Sequence, residues 1–222
     1  MKNLFQIIYF VVFITVLIAL YFQPTVPLLY CLVKPVIVFS LIIHFWRQTS
    51  TQEIAWKNIF LAALFFCWIG DILLLGESDL YFMLGLGAFL LGHIGYSWTY
   101  YVEQKQRNQN IKWQWLPLIL MFCYTLFLTI QLHPYLGDLQ IPVYVYICTI
   151  FIMTLFAIHR RMITNKRSYL MVLIGVLFFV LSDSAIAWSK FKASFDSAPY
   201  LIMSTYMIGQ FLIVQGMLAS KK

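Results

Sequence analysis

The fold class this sequence predicts is an all-α membrane bundle of eight spans with both termini in the cytoplasm, and three observations carry that expectation. The chain is 62% hydrophobic and only 10% charged, whereas a soluble domain carries roughly 25% charged residues. Its apolar residues fall into eight runs, each close to the roughly 20 residues that a helix needs to cross a bilayer. Its basic residues gather at alternate ends of those runs. Eight spans with short connections use up all 222 residues, so residues 1–222 are expected to form one integral membrane domain.

The runs lie at residues 4–22, 27–46, 54–75, 79–101, 115–133, 141–159, 168–188 and 199–218, bounded by polar or proline-containing breaks. The first follows Lys2 and resembles a secretory signal in its length. It reads as a span because the stretch from Leu4 to Phe22 is long enough to cross and no small-x-small cleavage pattern follows it. The second holds Lys34-Pro35, and the third closes on Gly70-Asp71. The fourth carries Gly85, Ala88, Gly92 and Gly95, a stripe of small residues that reads as a close-packing seam. The seventh holds Ser182-Asp183 and the eighth Tyr206 and Gln210.

With the N-terminus inside, the cytoplasmic ends carry Lys2, Arg47, Lys57, Lys105, Arg107, Lys112, Arg160, Arg161, Lys166, Arg167, Lys221 and Lys222. Only Lys190 and Lys192 fall outside, and Lys34 lies within a span. That asymmetry is what the positive-inside rule demands of an even number of spans. Trp46, Trp56, Trp113, Trp115 and Trp188 stand at span ends, where interfacial aromatics belong. The net charge of +7 is spread over several short loops and forms no continuous patch, which argues against a nucleic-acid partner. Cys31, Cys67, Cys123 and Cys148 sit in apolar stretches without CxxC spacing and read as small buried hydrophobes. The compact chain and the lack of organelle signals point to a bacterial inner membrane; the oligomeric state is not legible.

Ile69-Gly70-Asp71 in the third span resembles Leu181-Ser182-Asp183 in the seventh, and Leu90-Leu91-Gly92-His93 in the fourth resembles Met207-Ile208-Gly209-Gln210 in the eighth. An interval of four spans gives both copies one orientation, as in a parallel repeat. Chance recurrence of common membrane residues is the other reading.

A charge at the centre of a membrane helix costs about 2.5–3.5 kcal/mol on insertion scales, so Lys34, Asp71 and Asp183 each need an explanation. In the expected topology Lys34 lies about 10 Å from the outer end of its span and each aspartate about 7–8 Å, at 1.5 Å per residue. All three therefore share one layer, where they can surround a polar cavity. The plainer alternatives are helix capping or a buried ion pair for the aspartates, and for Lys34 a side chain that snorkels to the interface beside a proline kink. His93, with Tyr96 one turn away on the same face, is the histidine deepest in a span; it reads either as a site group or as a helix-to-helix hydrogen bond. Tyr206 and Gln210 carry the same two readings. His44, His133 and His159 lie at span ends on opposite sides, which argues against a three-histidine zinc site and leaves no metal expected. Neither Ser182 nor Ser184 sits in GxSxG with a histidine base at its depth, so neither reads as a nucleophile.

Lys34-Pro35, Gly70-Asp71-Ile72-Leu73-Leu74, Gly92-His93-Ile94-Gly95-Tyr96 and Ser182-Asp183, in this order and on these spans, resemble the YhhN-type lysoplasmalogenase family. The resemblance runs from the second span to the eighth; Ser182 stands before its aspartate where Gly70 precedes the first. It implies hydrolysis of the vinyl-ether bond of a lysoplasmalogen, a lysophospholipid met within the membrane, to a fatty aldehyde and glycerophosphoethanolamine or glycerophosphocholine. That reaction suits Asp71 and Asp183 as an acid and base pair in either order, Lys34 at the phosphate or a carboxylate, and His93 and Tyr96 beside water or substrate, while Tyr206 and Gln210 can add hydrogen bonds to the same cavity. Enol-ether hydrolysis proceeds through an oxocarbenium-like cation and needs an acid, an anion and a water, the same demands that a glycosidase carboxylate pair meets. It requires no metal and no organic cofactor. Carboxylates with a lysine also suit a small proton-coupled transporter, and the small-residue seam suits a non-catalytic assembly subunit.

Overall fold

A computed structural model describes residues 2–107 and 114–220, so Lys112, Trp113, Lys221 and Lys222 lie outside the described residues. Among the described residues all regular structure is helical, as expected where lipid offers the backbone no hydrogen-bond partner. The α-helices are α1 Lys2–Tyr21, α2 Pro27–Val33, α3 Val36–Thr49, α4 Lys57–Leu73, α5 Asp79–Gln106, α6 Trp115–Leu132, α7 Gln140–His159, α8 Lys166–Ala187 and α9 Ala198–Ala219. They form two compact units, Met1–Gly95 and Tyr96–Lys222.

Among the described residues seven helical segments are long and apolar enough to cross a membrane: Leu4–Tyr21, Pro27–Thr49, Asp79–Gln106, Trp115–Tyr135, Gly137–Met162, Lys166–Lys192 and Ala198–Ala219. The third expected run is α4, which has 17 residues. At 1.5 Å per residue it reaches about 25 Å, against about 30 Å for a hydrocarbon core. The helix stops where the amides of Leu75 and Gly76 turn to the carbonyls of Ile72 and Leu73.

In the first unit, the second run breaks between α2 and α3 at Lys34 and Pro35, because proline has no amide to continue the ladder. The Pro35 carbonyl accepts a hydrogen bond from the Trp68 indole at 3.0 Å, tying the break to α4. The seam expected on α5 is present. A Cβ at Gly92 would fall 2.6 Å from Cys67 Sγ, and one at Gly95 would fall 2.7 Å from Ala63 Cβ, so only glycine lets α4 come this close. Trp56 stands at the start of α4, as expected of a span end, and is buried with Phe45 and Phe60 where that end packs against α3.

In the second unit, α8 and α9 run antiparallel along a seam of small residues spaced by seven. Ser168 Oγ donates to the Gly216 carbonyl at 2.8 Å, and Ser182 Oγ donates to the Ile202 carbonyl at 3.0 Å. Between them Gly175 meets Gly209, where an added Cβ would lie 2.8 Å from the Gly209 oxygen. Arg160, counted above as a loop cation, is fully buried: its Nε donates to Glu103 at 2.8 Å and its guanidinium lies 5.4 Å from the Tyr100 ring centre. Glu103 also accepts from Ser220 Oγ, while Arg107 donates to the Ser220 carbonyl, so the ends of α5 and α9 are pinned to the α7–α8 turn. None of the four cysteines is in a disulfide, and only Cys67 is buried. Cys123 and Cys148 are exposed on the outer faces of α6 and α7, where a thiol is tolerated as an ordinary apolar group.

The two units share one packing detail. A Cβ on Gly92 would approach the Ala63 oxygen and the Cys67 nitrogen, and one on Gly209 would approach the Gly175 oxygen and the Phe179 nitrogen. The same interval separates Ala63 from Gly175, Cys67 from Phe179, and Asp71 from Asp183. Each aspartate therefore stands one helical turn beyond an equivalent helix crossing.

Candidate active site

In the first unit, α4 carries Asp71 at 1% exposure one residue after Gly70, where an added Cβ would fall 2.6 Å from the Phe89 ring. The glycine lets the Phe89 ring close over the backbone beside the carboxyl group. Lys34, at the break between α2 and α3, is buried at 6% exposure with its ammonium 5.9 Å from the Tyr30 ring centre. It is therefore turned inward, not extended to water. Asp71 lies within electrostatic reach of Lys34 and of the Tyr9 and Tyr30 hydroxyls. A carboxyl group and an ammonium in one low-dielectric neighbourhood offset part of the cost of burying each. His93 is fully buried on α5 beside the Gly92 seam.

In the second unit, Asp183 is buried on α8, and its Oδ2 accepts a hydrogen bond from the Tyr146 hydroxyl of α7 at 3.0 Å. Tyr96, Gln210 and Tyr206 form a buried chain: the Tyr96 hydroxyl donates to Gln210 Oε1 at 2.7 Å, and Gln210 Nε2 donates to the Tyr206 hydroxyl at 3.5 Å. The Tyr206 ring meets Phe179 edge-on at 5.4 Å. The serines are engaged elsewhere. Ser182 belongs to the helix seam, and Ser184 donates to the Val180 carbonyl while accepting from Tyr124.

The expected residues thus fall into two sets, Lys34, Asp71 and His93 in the first unit and Asp183, Tyr96, Tyr206 and Gln210 in the second. Among the described residues no three His, Cys, Asp or Glu side chains gather closely enough to hold a metal ion. Lys34 was expected beside Asp71, but the tyrosine neighbours of the two aspartates were not legible. Tyr9, Tyr30 and Tyr146 are three of 14 tyrosines, and only Tyr30, one turn before Lys34, carries a local signal. Chemically, the parts on hand are two buried carboxyl groups, one with an ammonium and tyrosine hydroxyls nearby and one that accepts a hydrogen bond from a neutral hydroxyl donor.

Comparison with known proteins bears on what these parts do. The model of the YhhN family matches residues 29–217, from α2 to the last turn of α9. No curated protein and no solved structure matches the chain.

Proposed function

This chain belongs to the YhhN family, and on that premise we propose that it is a multi-pass membrane hydrolase that cleaves the vinyl-ether bond of lysoplasmalogens. The observation that carries the reading is the pair of buried aspartates, each one turn past an equivalent glycine-mediated crossing. A charge-bearing group is costly to bury in a membrane helix and as a rule marks a functional site there.

One carboxyl group delivers its proton to the β-carbon of the enol ether, leaving an oxocarbenium-like cation at the ether-bearing carbon. The other carboxylate stabilises that cation and takes a proton from the water that attacks it. The resulting hemiacetal loses its hydroxyl proton as the glycerol oxygen gains one, and the C–O bond breaks to give an aldehyde and a glycerophospho-alcohol. Lys34 answers the phosphate or balances Asp71. His93 and the chain of Tyr96, Gln210 and Tyr206 orient substrate and water. The fold in this reading has eight spans, with α4 as the short third one and both termini cytoplasmic, and the membrane is a bacterial inner membrane. The matched crossings of α4 with α5 and of α8 with α9 support a parallel duplication.

The test is product analysis in D₂O with purified protein and an aldehyde trap. Proton delivery to carbon places one deuterium on the carbon next to the aldehyde. An ester-linked lysophospholipid should be left intact. Aldehyde without that deuterium would refute protonation at carbon. Substrate movement across proteoliposomes without cleavage would favour a transporter.

A further inference from the structure

The second unit carries an apolar groove that the catalytic reading does not use. Its volume is about 420 Å³, and α6, α7 and α8 line it through Leu120, Met121, Ile158, Leu173, Leu177 and Leu181. Leu120, Leu177 and Leu181 are exposed, so the groove opens sideways on the surface of the unit. Its polar atoms are spoken for: Thr154 Oγ1 donates within its own helix to the Ile150 carbonyl. At one end Tyr124, also in the lining, donates to Ser184 Oγ at 2.7 Å. Ser184 is the residue after Asp183, so the Tyr124 end of the groove lies at the level of that aspartate along α8.

We propose that this groove is the binding site for the hydrocarbon chain of the substrate, with the chain's vinyl-ether end at Asp183 and its methyl end toward Leu173. The proposal rests on the hydrolase reading and deepens it, because it assigns the groove to a single long 1-alkenyl chain. The dimensions agree. Leu181, Leu177 and Leu173 stand about 3, 9 and 15 Å along α8 from Asp183 at 1.5 Å per residue, a ladder that one extended chain follows. A volume near 420 Å³ lies within the roughly 300–1,000 Å³ of ligand sites and suits one chain. A lysolipid offers one chain, and its reactive bond lies at the polar end of that chain. The sideways opening lets the chain enter from lipid without leaving an apolar phase. Specificity for chain length then resides in the distance from Asp183 to the far end of the groove.

The experiment is a chain-length profile of aldehyde release by wild type, Leu177→Trp and Leu173→Trp in detergent. A tryptophan closes the groove at its position, and the two positions differ by about 6 Å along α8. Each buried methylene is worth about 0.8 kcal/mol, or about fourfold. The ratio of long-chain to short-chain turnover should therefore fall at least tenfold in Leu177→Trp and by less in Leu173→Trp. The preferred length should shorten in the same order. Profiles unchanged from wild type would overturn the proposal. Should the variants fail to fold, wild type is photolabelled with a lysoplasmalogen that carries a diazirine near its methyl end. Label on the α6, α7 and α8 lining, displaced by lysoplasmalogen and not by diacyl phospholipid, supports the assignment. Label elsewhere, or equal displacement by diacyl phospholipid, shows ordinary boundary lipid and overturns it. Absence of aldehyde from wild type at every chain length would instead refute the hydrolase reading on which the proposal stands.

Discussion

Replacing Gly175 by alanine tests whether the second unit is held by backbone contact between α8 and α9. The new Cβ would sit 2.8 Å from the Gly209 oxygen and 2.9 Å from the Ile213 nitrogen, whereas ordinary contact begins near 3.4 Å. Both neighbours are backbone atoms, so no side-chain rotation relieves the clash, and the helices must part by about 0.5 Å. A gap of that size forfeits about a quarter of the dispersion attraction across the seam. It also stretches the flanking bonds from Ser168 to Gly216 and from Ser182 to Ile202. Overpacking of this kind costs about 1–3 kcal/mol, which at about 2–4 °C per kcal/mol lowers Tm by about 2–12 °C. The assay is thermal unfolding in detergent, followed by tryptophan fluorescence. Gly87→Ala is the matched control, because a Cβ there meets nothing within 4 Å and alanine is the better helix former by up to about 1 kcal/mol. If Gly175→Ala melts at or above wild type while Gly87→Ala behaves as expected, the seam is not the close contact described.

Two further substitutions probe polar groups. Arg160→Met removes one partner of a Glu103 that is only 1% exposed, leaving Ser220 Oγ and, 3.6 Å away, Arg107. It should cost about 1–3 kcal/mol, and adding Glu103→Leu should restore part of the loss; urea unfolding in detergent would show it, and additive losses would contradict the pairing. Tyr146→Phe removes the donor to Asp183 and should lower kcat about tenfold to a hundredfold, in line with about 1.5–3 kcal/mol for a bond to an ionisable group. Its KM and Tm should change little, whereas a loss in Tm with kcat intact would make Tyr146 merely structural.

The membrane helices were legible because apolar length is a coarse signal that survives any detail of packing. Their ends were less so: α5 runs on to Gln106 past the expected residue 101, since a buried Glu103 does not differ in type from a solvated one. Arg160 was hidden in the same way, as its neighbours in sequence are the loop cations that the positive-inside rule counts. The α5 seam could be read from four small residues on one stripe. The α8–α9 seam could not, because it alternates serine with glycine on α8 and half of it lies on another helix. Asp71, Asp183 and Lys34 stood out because charge in a span is rare, whereas Tyr146 did not, because a tyrosine partner is defined only by the fold that brings α7 against α8.

If both aspartates act in one vinyl-ether hydrolysis, neither can be replaced by its amide without loss of turnover. The direct measurement is aldehyde release from a lysoplasmalogen by purified wild type, Asp71→Asn and Asp183→Asn, each checked for folding by its melting curve. The account predicts aldehyde from wild type and none from either folded variant. Full turnover in either folded variant, or no aldehyde from folded wild type on both ethanolamine and choline head groups, would contradict it.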